Sequence, residues 1–307
     1  MRFRHPAQLV VFAFLTASLV GALLLWLPFS SVDHGAASFV DAWFTATSAV
    51  CVTGLVVVDT AGHWTLFGEI VILLLIQIGG FGIMTLSALL LLVLARRIGI
   101  RQRLVAAHEA GSLDLGEVRR VLIGVAKYSL AIEVLAMAIL WPRFMVTYSE
   151  SPGTALYHAV FHAVSAFNNA GFALWGDSLE RFNGDYVVLT TVALAVIVGG
   201  VGYPVWSELR RDPVKPQRWS LHVKLTLFTT VALLLGGWAA FAWFEWTNPG
   251  TLGDMGTPRS LMNAFFHSVM PRTAGFNSIA MGEMRDPTRM LTAVSYTHLT
   301  LPTTERV

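Results

Sequence analysis

Apolar residues in this chain gather into long unbroken runs instead of alternating with polar ones. The runs cover Ala7–Phe29, Leu66–Ala95, Val121–Trp141, Val187–Leu209 and Leu221–Trp246. About 20 apolar residues, at about 1.5 Å rise each, cover a hydrocarbon core of about 30 Å, so each run predicts a membrane-crossing helix. A sixth apolar segment begins near Thr288. The first run is too long for a signal-peptide core and lacks a small-residue cleavage pattern before Asp33. Further spans follow it, so it reads as a retained helix.

Between the spans lie three shorter apolar stretches, each ending in a glycine: Phe44 to Gly54, Phe161 to Gly171 and Phe265 to Gly275. In each, a Phe precedes the glycine by ten positions. A small residue (Thr53, Ala170, Ala274) sits just before the glycine and a bulky one (Leu55, Phe172, Phe276) just after it. Such a recurrence at long period marks an internal repeat. A second recurrence places Gly79, Gly80 and Gly82 in the second span and Gly199, Gly200 and Gly202 in the fourth. Three glycines in four residues weaken a helix by about 1 kcal/mol each relative to Ala, so they point either to a bend or to close backbone packing.

A stretch of 10–14 apolar residues cannot cross a bilayer and must re-enter and return. Asp41 and Thr154 suit helix N-caps, and Thr257-Pro258 suits an N-cap followed by proline at the first helical position. Each stretch therefore predicts a short descending helix whose C-terminal dipole favours a cation at mid-membrane. The returning backbone is irregular, and such backbone is tolerated at membrane depth only where protein buries it or it lines a water-filled cavity. A glycine there reaches φ > 0 and turns its carbonyl toward an axis, and rings of carbonyls replace the hydration shell of an alkali cation.

Composition agrees with a multi-pass membrane protein: 55% of the 307 residues are hydrophobic and 13% charged, about half the usual charged share. Disordered, collagen-like and nucleic-acid-binding chains are excluded by the same figures. A net charge of +2 implies no polyanionic partner, and the single Cys51 forms no internal disulfide. Basic residues are unevenly placed. Arg2 and Arg4 precede the first span; Arg96, Arg97, Arg101, Arg103, Arg119 and Arg120 lie between the second and third; Arg210, Arg211, Lys215, Arg218 and Lys224 lie between the fourth and fifth. The segment Ser30–Thr65 has no Lys or Arg. The positive-inside rule places the N-terminus and both basic loops in the cytoplasm of a protein of the cell (plasma) membrane.

The first stretch, Phe44 through Gly54 to Asp59, resembles the first pore loop of the Trk/Ktr/HKT superfamily of potassium transporters. Phe167-Asn-Asn-Ala-Gly-Phe172 resembles the second and Arg272-Thr-Ala-Gly-Phe276 the third. The match runs from about residue 7 to 294 and is closer to the Ktr membrane subunit than to the longer Trk form. The resemblance implies an all-α fold of helix–pore loop–helix repeats around one pore, with about three of four repeats present. Their expected bounds are 1–65 and 66–120 for the first repeat and its cytoplasmic loop, 121–219 for the second, and 220–294 for an incomplete third. It also implies K⁺ uptake, often Na⁺-dependent, with no organic cofactor, by a homodimer gated by a cytoplasmic nucleotide-binding ring. Filter carbonyls would come from Val52, Thr53, Gly54 and Leu55, from Asn169, Ala170, Gly171 and Phe172, and from Thr273, Ala274, Gly275 and Phe276. Glycine in the first loop, where other members carry serine, is the K⁺-selective pattern. Residues 295–307 are polar and match nothing in the family, so they are expected to be a foreign tail.

Other features leave alternatives open. Glu133, inside the third span, reads either as part of an ion path or as a carboxyl hydrogen-bonding a neighbouring helix. Arg272 is expected to anchor the third loop to a carboxylate or to carbonyls. His158 and His162 share a helix face at a spacing that suits a metal, which makes a membrane metal- or haem-binding enzyme the competing reading; packing against the pore helix is the other use of the pair.

Overall fold

The computed structural model describes residues 6–33, 37–98, 115–211, 213 and 215–300. The expectations placed on Arg2, Arg4, Arg101, Arg103 and residues 301–307 lie outside these. The described chain runs α1 (Pro6–Leu25), α2 (Phe39–Val50), α3 (Thr60–His63), α4 (Leu66–Ile98), α5 (Leu115–Tyr148), α6 (Pro152–Phe167), α7 (Tyr186–Val201), α8 (Tyr203–Arg211), α9 (Leu221–Glu245), α10 (Thr257–Val269) and α11 (Asp286–Thr300). Among the described residues the one strand-like pairing is the isolated bridge between Ser31 and Trp64. Three described helices are long and apolar enough to cross a membrane, in Leu66–Ala88, Arg119–Tyr148 and Leu221–Glu245, and α7 with α8 counts as a fourth if taken as one span.

The span boundaries differ from hydropathy where local chemistry intervenes. The first helix stops at Leu25, short of Phe29, because Pro28 cannot donate and disfavours helix in the residue before it. The third runs past Trp141 through Pro142 to Tyr148. Tertiary contacts hold its last turns: Phe144 is fully buried and its ring meets Trp175 and Phe182 at 5.6 Å. The fourth is not one helix. Its two halves meet at 89° at Gly202, whose φ is +81, and Pro204 follows.

The three short helices α2, α6 and α10 are present, with their caps placed differently from expectation. Ser38 and Ser151 are the N-caps, accepting from the N–H of Asp41 and Thr154. Asp41 and Thr154 sit three residues inside. The Ser38 hydroxyl donates to the Asp41 carboxylate at 2.7 Å, and the Ser151 and Thr154 hydroxyls bond at 2.8 Å. These bonds lock each cap through side chains and not through the N-cap N–H that a capping box uses. Gly256 caps α10 without a side-chain bond, and Pro258 lies in the first turn behind Thr257.

Each short helix is wedged between longer ones: α2 against α1 and α4, α6 against α5 and α7, and α10 against α9 and α7. The glycine pairs explain how closely. A Cβ on Gly79 would stand 2.0 Å from the Val50 carbonyl oxygen, and one on Gly199 would stand 1.8 Å from that of Phe167. These are corresponding last residues of α2 and α6. Gly80 and Gly200 face the side chains of Asn168 and Asn169 in the same way. Close packing is therefore the use of these four glycines, whereas Gly202 makes the bend. Gly82 faces only the Phe14 ring.

Clamps at the helix ends away from the loops hold the long helices of a unit together. In the second, Asp185 caps α7 by accepting from Val187 N–H and Val188 N–H at 3.0 and 3.2 Å. It also accepts from Arg143 Nε at 2.8 Å and Tyr148 OH at 2.9 Å, both on α5. In the third, the fully buried Glu245 of α9 accepts from the Arg285 N–H and the Thr288 hydroxyl at the start of α11. In the first, backbone takes this role: Thr65 N–H donates to Ser30 O at 2.9 Å and its hydroxyl to Phe29 O at 2.8 Å.

Two outcomes follow. Burial works to raise the Asp185 carboxyl, but the bonds from Arg143, the Val188 N–H and Tyr148 outweigh it and hold the group below its ordinary value of 3.8. Such a group stabilises fully above its unfolded value, and the contribution is lost as pH falls through the lower folded one. Melting temperatures of the detergent-solubilised chain should therefore fall on acidification below about pH 4. Asp185→Asn should be less stable at neutral pH and show a shallower acid dependence. In the second experiment, Gly79→Ala and Gly199→Ala should each destabilise by about 1–3 kcal/mol through overpacking. Gly236→Ala, in a helix with nothing within 4 Å of the added Cβ, should be neutral or stabilising, as the same melts will read.

Candidate ion-filter site

The loops that follow α2, α6 and α10 share one backbone pattern. Val52, Asn169 and Thr273 have φ of +55, +59 and +67, and two residues later Gly54, Gly171 and Gly275 have φ of +75, +72 and +73. In the first two loops the hydrogen bonds match as well. Cys51 and Asn168 N–H donate to Thr47 O and Val164 O, and Thr53 and Ala170 N–H donate to Ser48 O and Ser165 O at 2.8 Å. This is a helix C-terminal turn with a left-handed residue just beyond the end. A β-branched Val52 in that region is an outlier, of the kind found where surrounding structure over-determines the backbone. The third loop tightens differently, with Ala274 N–H donating to Met270 O at 3.0 Å.

The three glycines converge. A Cβ on Gly54 would lie 2.4 Å from Ala170 O, and one on Gly171 would lie 2.5 Å from Ala274 O. A Cβ on Gly275 meets only the Gly171 Cα, at 3.4 Å. The segments thus stand in an arc, first to second to third, each glycine backed by the carbonyl of the next loop. The residues after the glycines follow the same order. Phe172 is fully buried in the apolar cluster built on α1, α2 and α4, and Phe276 in the one built on α5, α6 and α7. Leu55, their counterpart in the first loop, is 60% exposed.

Behind the second loop stands a polar network that the chain's linear order hides. Asn168 Nδ2 donates to Gln77 Oε1 at 3.1 Å, to Glu133 Oε1 at 3.3 Å and to Val164 O at 2.9 Å. Gln77 Nε2 donates to Glu133 Oε2 at 3.3 Å. Glu133 is thus a carboxylate bonded to a neighbouring helix and a pore loop. Asn169 Nδ2 donates across to the Arg272 carbonyl at 3.0 Å, so the third loop is anchored by that carbonyl. The expected anchoring through the Arg272 guanidinium is not found: among the described residues it has no hydrogen bond or ion pair.

The histidines are structural. His162 is buried, with Nδ1–H donating to His158 O at 2.7 Å and Nε2 accepting from Leu174 N–H at 3.3 Å. Its ring stacks on Trp175 at 4.2 Å. His158 pairs with Glu150 at 3.0 Å. His267 repeats the arrangement, accepting from Ser278 N–H at 3.2 Å and stacking on Phe241 at 5.0 Å. Leu174 and Ser278 lie three residues beyond Gly171 and Gly275, so both histidines fix the exit of a loop. No group of three or more His, Cys, Asp or Glu side chains placed to hold a metal occurs among the described residues. The metal-enzyme reading is not favoured.

Residues 1–297 match the TrkH family, described as cation transport proteins. The chain is 40% identical over 294 residues to the Ktr system potassium uptake protein B of Bacillus subtilis, covering 95% of this chain and 64% of that protein. It is 39% identical over 288 residues to the protein of the same name from Vibrio alginolyticus (94% and 62%). Against the potassium/sodium uptake protein NtpJ of Enterococcus hirae it is 36% identical over 287 residues (94% and 63%). It therefore spans a little under two thirds of the length of these relatives. The crystal structure of the potassium transporter TrkH from Vibrio parahaemolyticus superposes with a TM-score of 0.71 at 18% identity, covering 96% of this chain and 57% of that one. That likeness is one of fold. With the family match running through all three pore loops, the chain belongs to the TrkH family of cation transport proteins.

Proposed function

We propose that this chain forms much of a K⁺ uptake pore, with filter carbonyls supplied by Val52–Leu55, Asn169–Phe172 and Thr273–Phe276. The observation that carries the reading is the shared pair of left-handed residues in three loops whose glycines and carbonyls interlock. Left-handed residues at two positions of each loop suit a backbone that turns its carbonyls toward one axis, where they would replace the water of a dehydrated cation. The C-terminal ends of α2, α6 and α10 add negative potential at the same place. A fourth segment would complete the ring between Gly275 and Leu55, and the exposed Leu55 would then bury as Phe172 and Phe276 do. The names of the relatives support K⁺ as cargo, with Na⁺ as the second candidate.

Orientation and partners belong to the same proposal. The basic loops put the N-terminus and both α4–α5 and α8–α9 connections in the cytoplasm. The Ktr resemblance supports a homodimer gated by a cytoplasmic nucleotide-binding ring, which those loops would help to receive.

Gly54→Ser tests the filter. Its Cβ meets Ala170 O and its φ disfavours any side chain, so carbonyl geometry must shift. Residues 1–294 joined to the C-terminal portion of the Bacillus subtilis relative, in a host lacking K⁺ uptake, should lose K⁺ over Na⁺ discrimination with expression retained. An unchanged uptake ratio for the two ions would remove Gly54 from the filter. The topology is read by cysteine labelling in a Cys51→Ser background. Gln217→Cys should resist impermeant reagents on intact cells and react once the membrane is opened; ready labelling from outside would reverse the assignment.

A further inference from the structure

We infer that Glu133 is a positioning residue for the second filter segment, and through Asn168 a determinant of K⁺ over Na⁺ selection that never touches the ion. The inference rests on the filter reading above.

The carboxylate is buried in the third span at 6% exposure, and no described Lys, Arg or His forms an ion pair with it. A carboxylate at that depth is costlier to bury than an apolar side chain of the same size, so stability alone does not account for it. Its two oxygens face two amide donors: Oε1 takes Asn168 Nδ2 and Oε2 takes Gln77 Nε2. Gln77 closes the triangle by accepting from Asn168 with its own oxygen. Gly80 completes the seat, since a Cβ there would stand 1.9 Å from Asn168 Oδ1. Asn168 therefore has one orientation, held by α4 on one side and α5 on the other. It is the last residue before the left-handed Asn169 and lies three positions before Gly171.

The seat is peculiar to the second loop. Three positions before the glycine, the first loop has Cys51, which is exposed, and the third has Arg272. The loops are alike in backbone and unlike in what stands behind them. A carbonyl ring selects through the number and placement of its oxygens, and Glu133 holds those of the second quadrant in place through Asn168.

A donor–acceptor swap gives the test. Glu133→Gln changes one of two acceptors into a donor, so whichever way the three amides turn, one pair of like groups, two N–H or two carbonyl oxygens, must face each other. With the carboxylate moved to position 77 and the amide to 133, in the double variant Gln77→Glu/Glu133→Gln, every donor again meets an acceptor and net charge is unchanged. In the chimeric transporter, Glu133→Gln is expected to lower the K⁺/Na⁺ uptake ratio about tenfold, the scale of one mismatched buried hydrogen bond. Asn168→Ala should match it, and the double variant should recover most of the wild-type ratio. In the 307-residue chain itself, backbone amides around residues 168–172 should exchange hydrogen faster in the single variant and return to wild-type rates in the swap.

An unchanged ratio in Glu133→Gln, or a swap as poor as the single variant, would overturn the inference. A wild-type chimera that accumulates no K⁺ would count against the filter reading before any substitution at 133 is made. The exchange measurement then still decides whether Glu133 holds the loop.

Discussion

Irregular backbone at membrane depth has no water to satisfy it, and the pore loops exist only because protein surrounds them closely enough to do so. The contact that makes this possible is the seating of a short helix's last carbonyl against a glycine of the long helix that follows. Val50 on Gly79 and Phe167 on Gly199 are the same joint made twice. It brings the helix ends together where the left-handed turns begin, and leaves no room for a Cβ. The clamps at the helix ends away from the loops, Asp185 with Arg143 and Tyr148 and Glu245 with Thr288, fix the separation of the long helices that the short ones must fit between.

The loops show how one backbone solution is reached with different side chains. The left-handed position is taken by Val52, Asn169 and Thr273, of which only an Asn adopts it readily. Elsewhere the packing supplies what local preference does not. The buried histidines His162 and His267 tie down the exits of the second and third loops by accepting one backbone N–H each. The cost of burying an imidazole is offset by that bond and by ring stacking on Trp175 and Phe241.

Much of this was legible in the residues. Span positions follow from apolar run length, and the three glycine contexts mark the loops because a turn at membrane depth requires such residues. What stayed hidden depends on contacts between distant parts of the chain. The 89° break at Gly202 falls inside a run that stays apolar through Val205. Of the two uses the glycine cluster suggests, bend or packing, only the fold assigns the bend to Gly202 and the packing to Gly199 and Gly200. Pro142 reads as a stop, yet Phe144 and Arg143 hold the helix beyond it. The caps were misplaced by three residues, since Asp41 and Thr154 are acceptable caps and only the fold shows that Ser38 and Ser151 act first. Asn168, Gln77 and Glu133 are separated by 91 and 35 positions along the chain, and no local pattern joins them.

The asymmetry behind the loops has a physical consequence for how such a pore discriminates. A ring of identical segments would soften or stiffen as a unit, and its carbonyl spacing would follow whichever ion occupied it. Here the second segment is backed by a buried carboxylate triangle, the third by bonds from Asn169 to the Arg272 carbonyl and from the Gly275 N–H to the Tyr296 hydroxyl, and the first by tight contact with Ala170 at Gly54. Bonds to a buried carboxylate resist displacement more than a lone amide–carbonyl bond does. On the filter reading proposed above, the second quadrant is the one seated on a carboxylate. On that same reading, a ring with one quadrant seated on a carboxylate would keep its carbonyl spacing on that side when a smaller cation enters, while the other quadrants follow the ion.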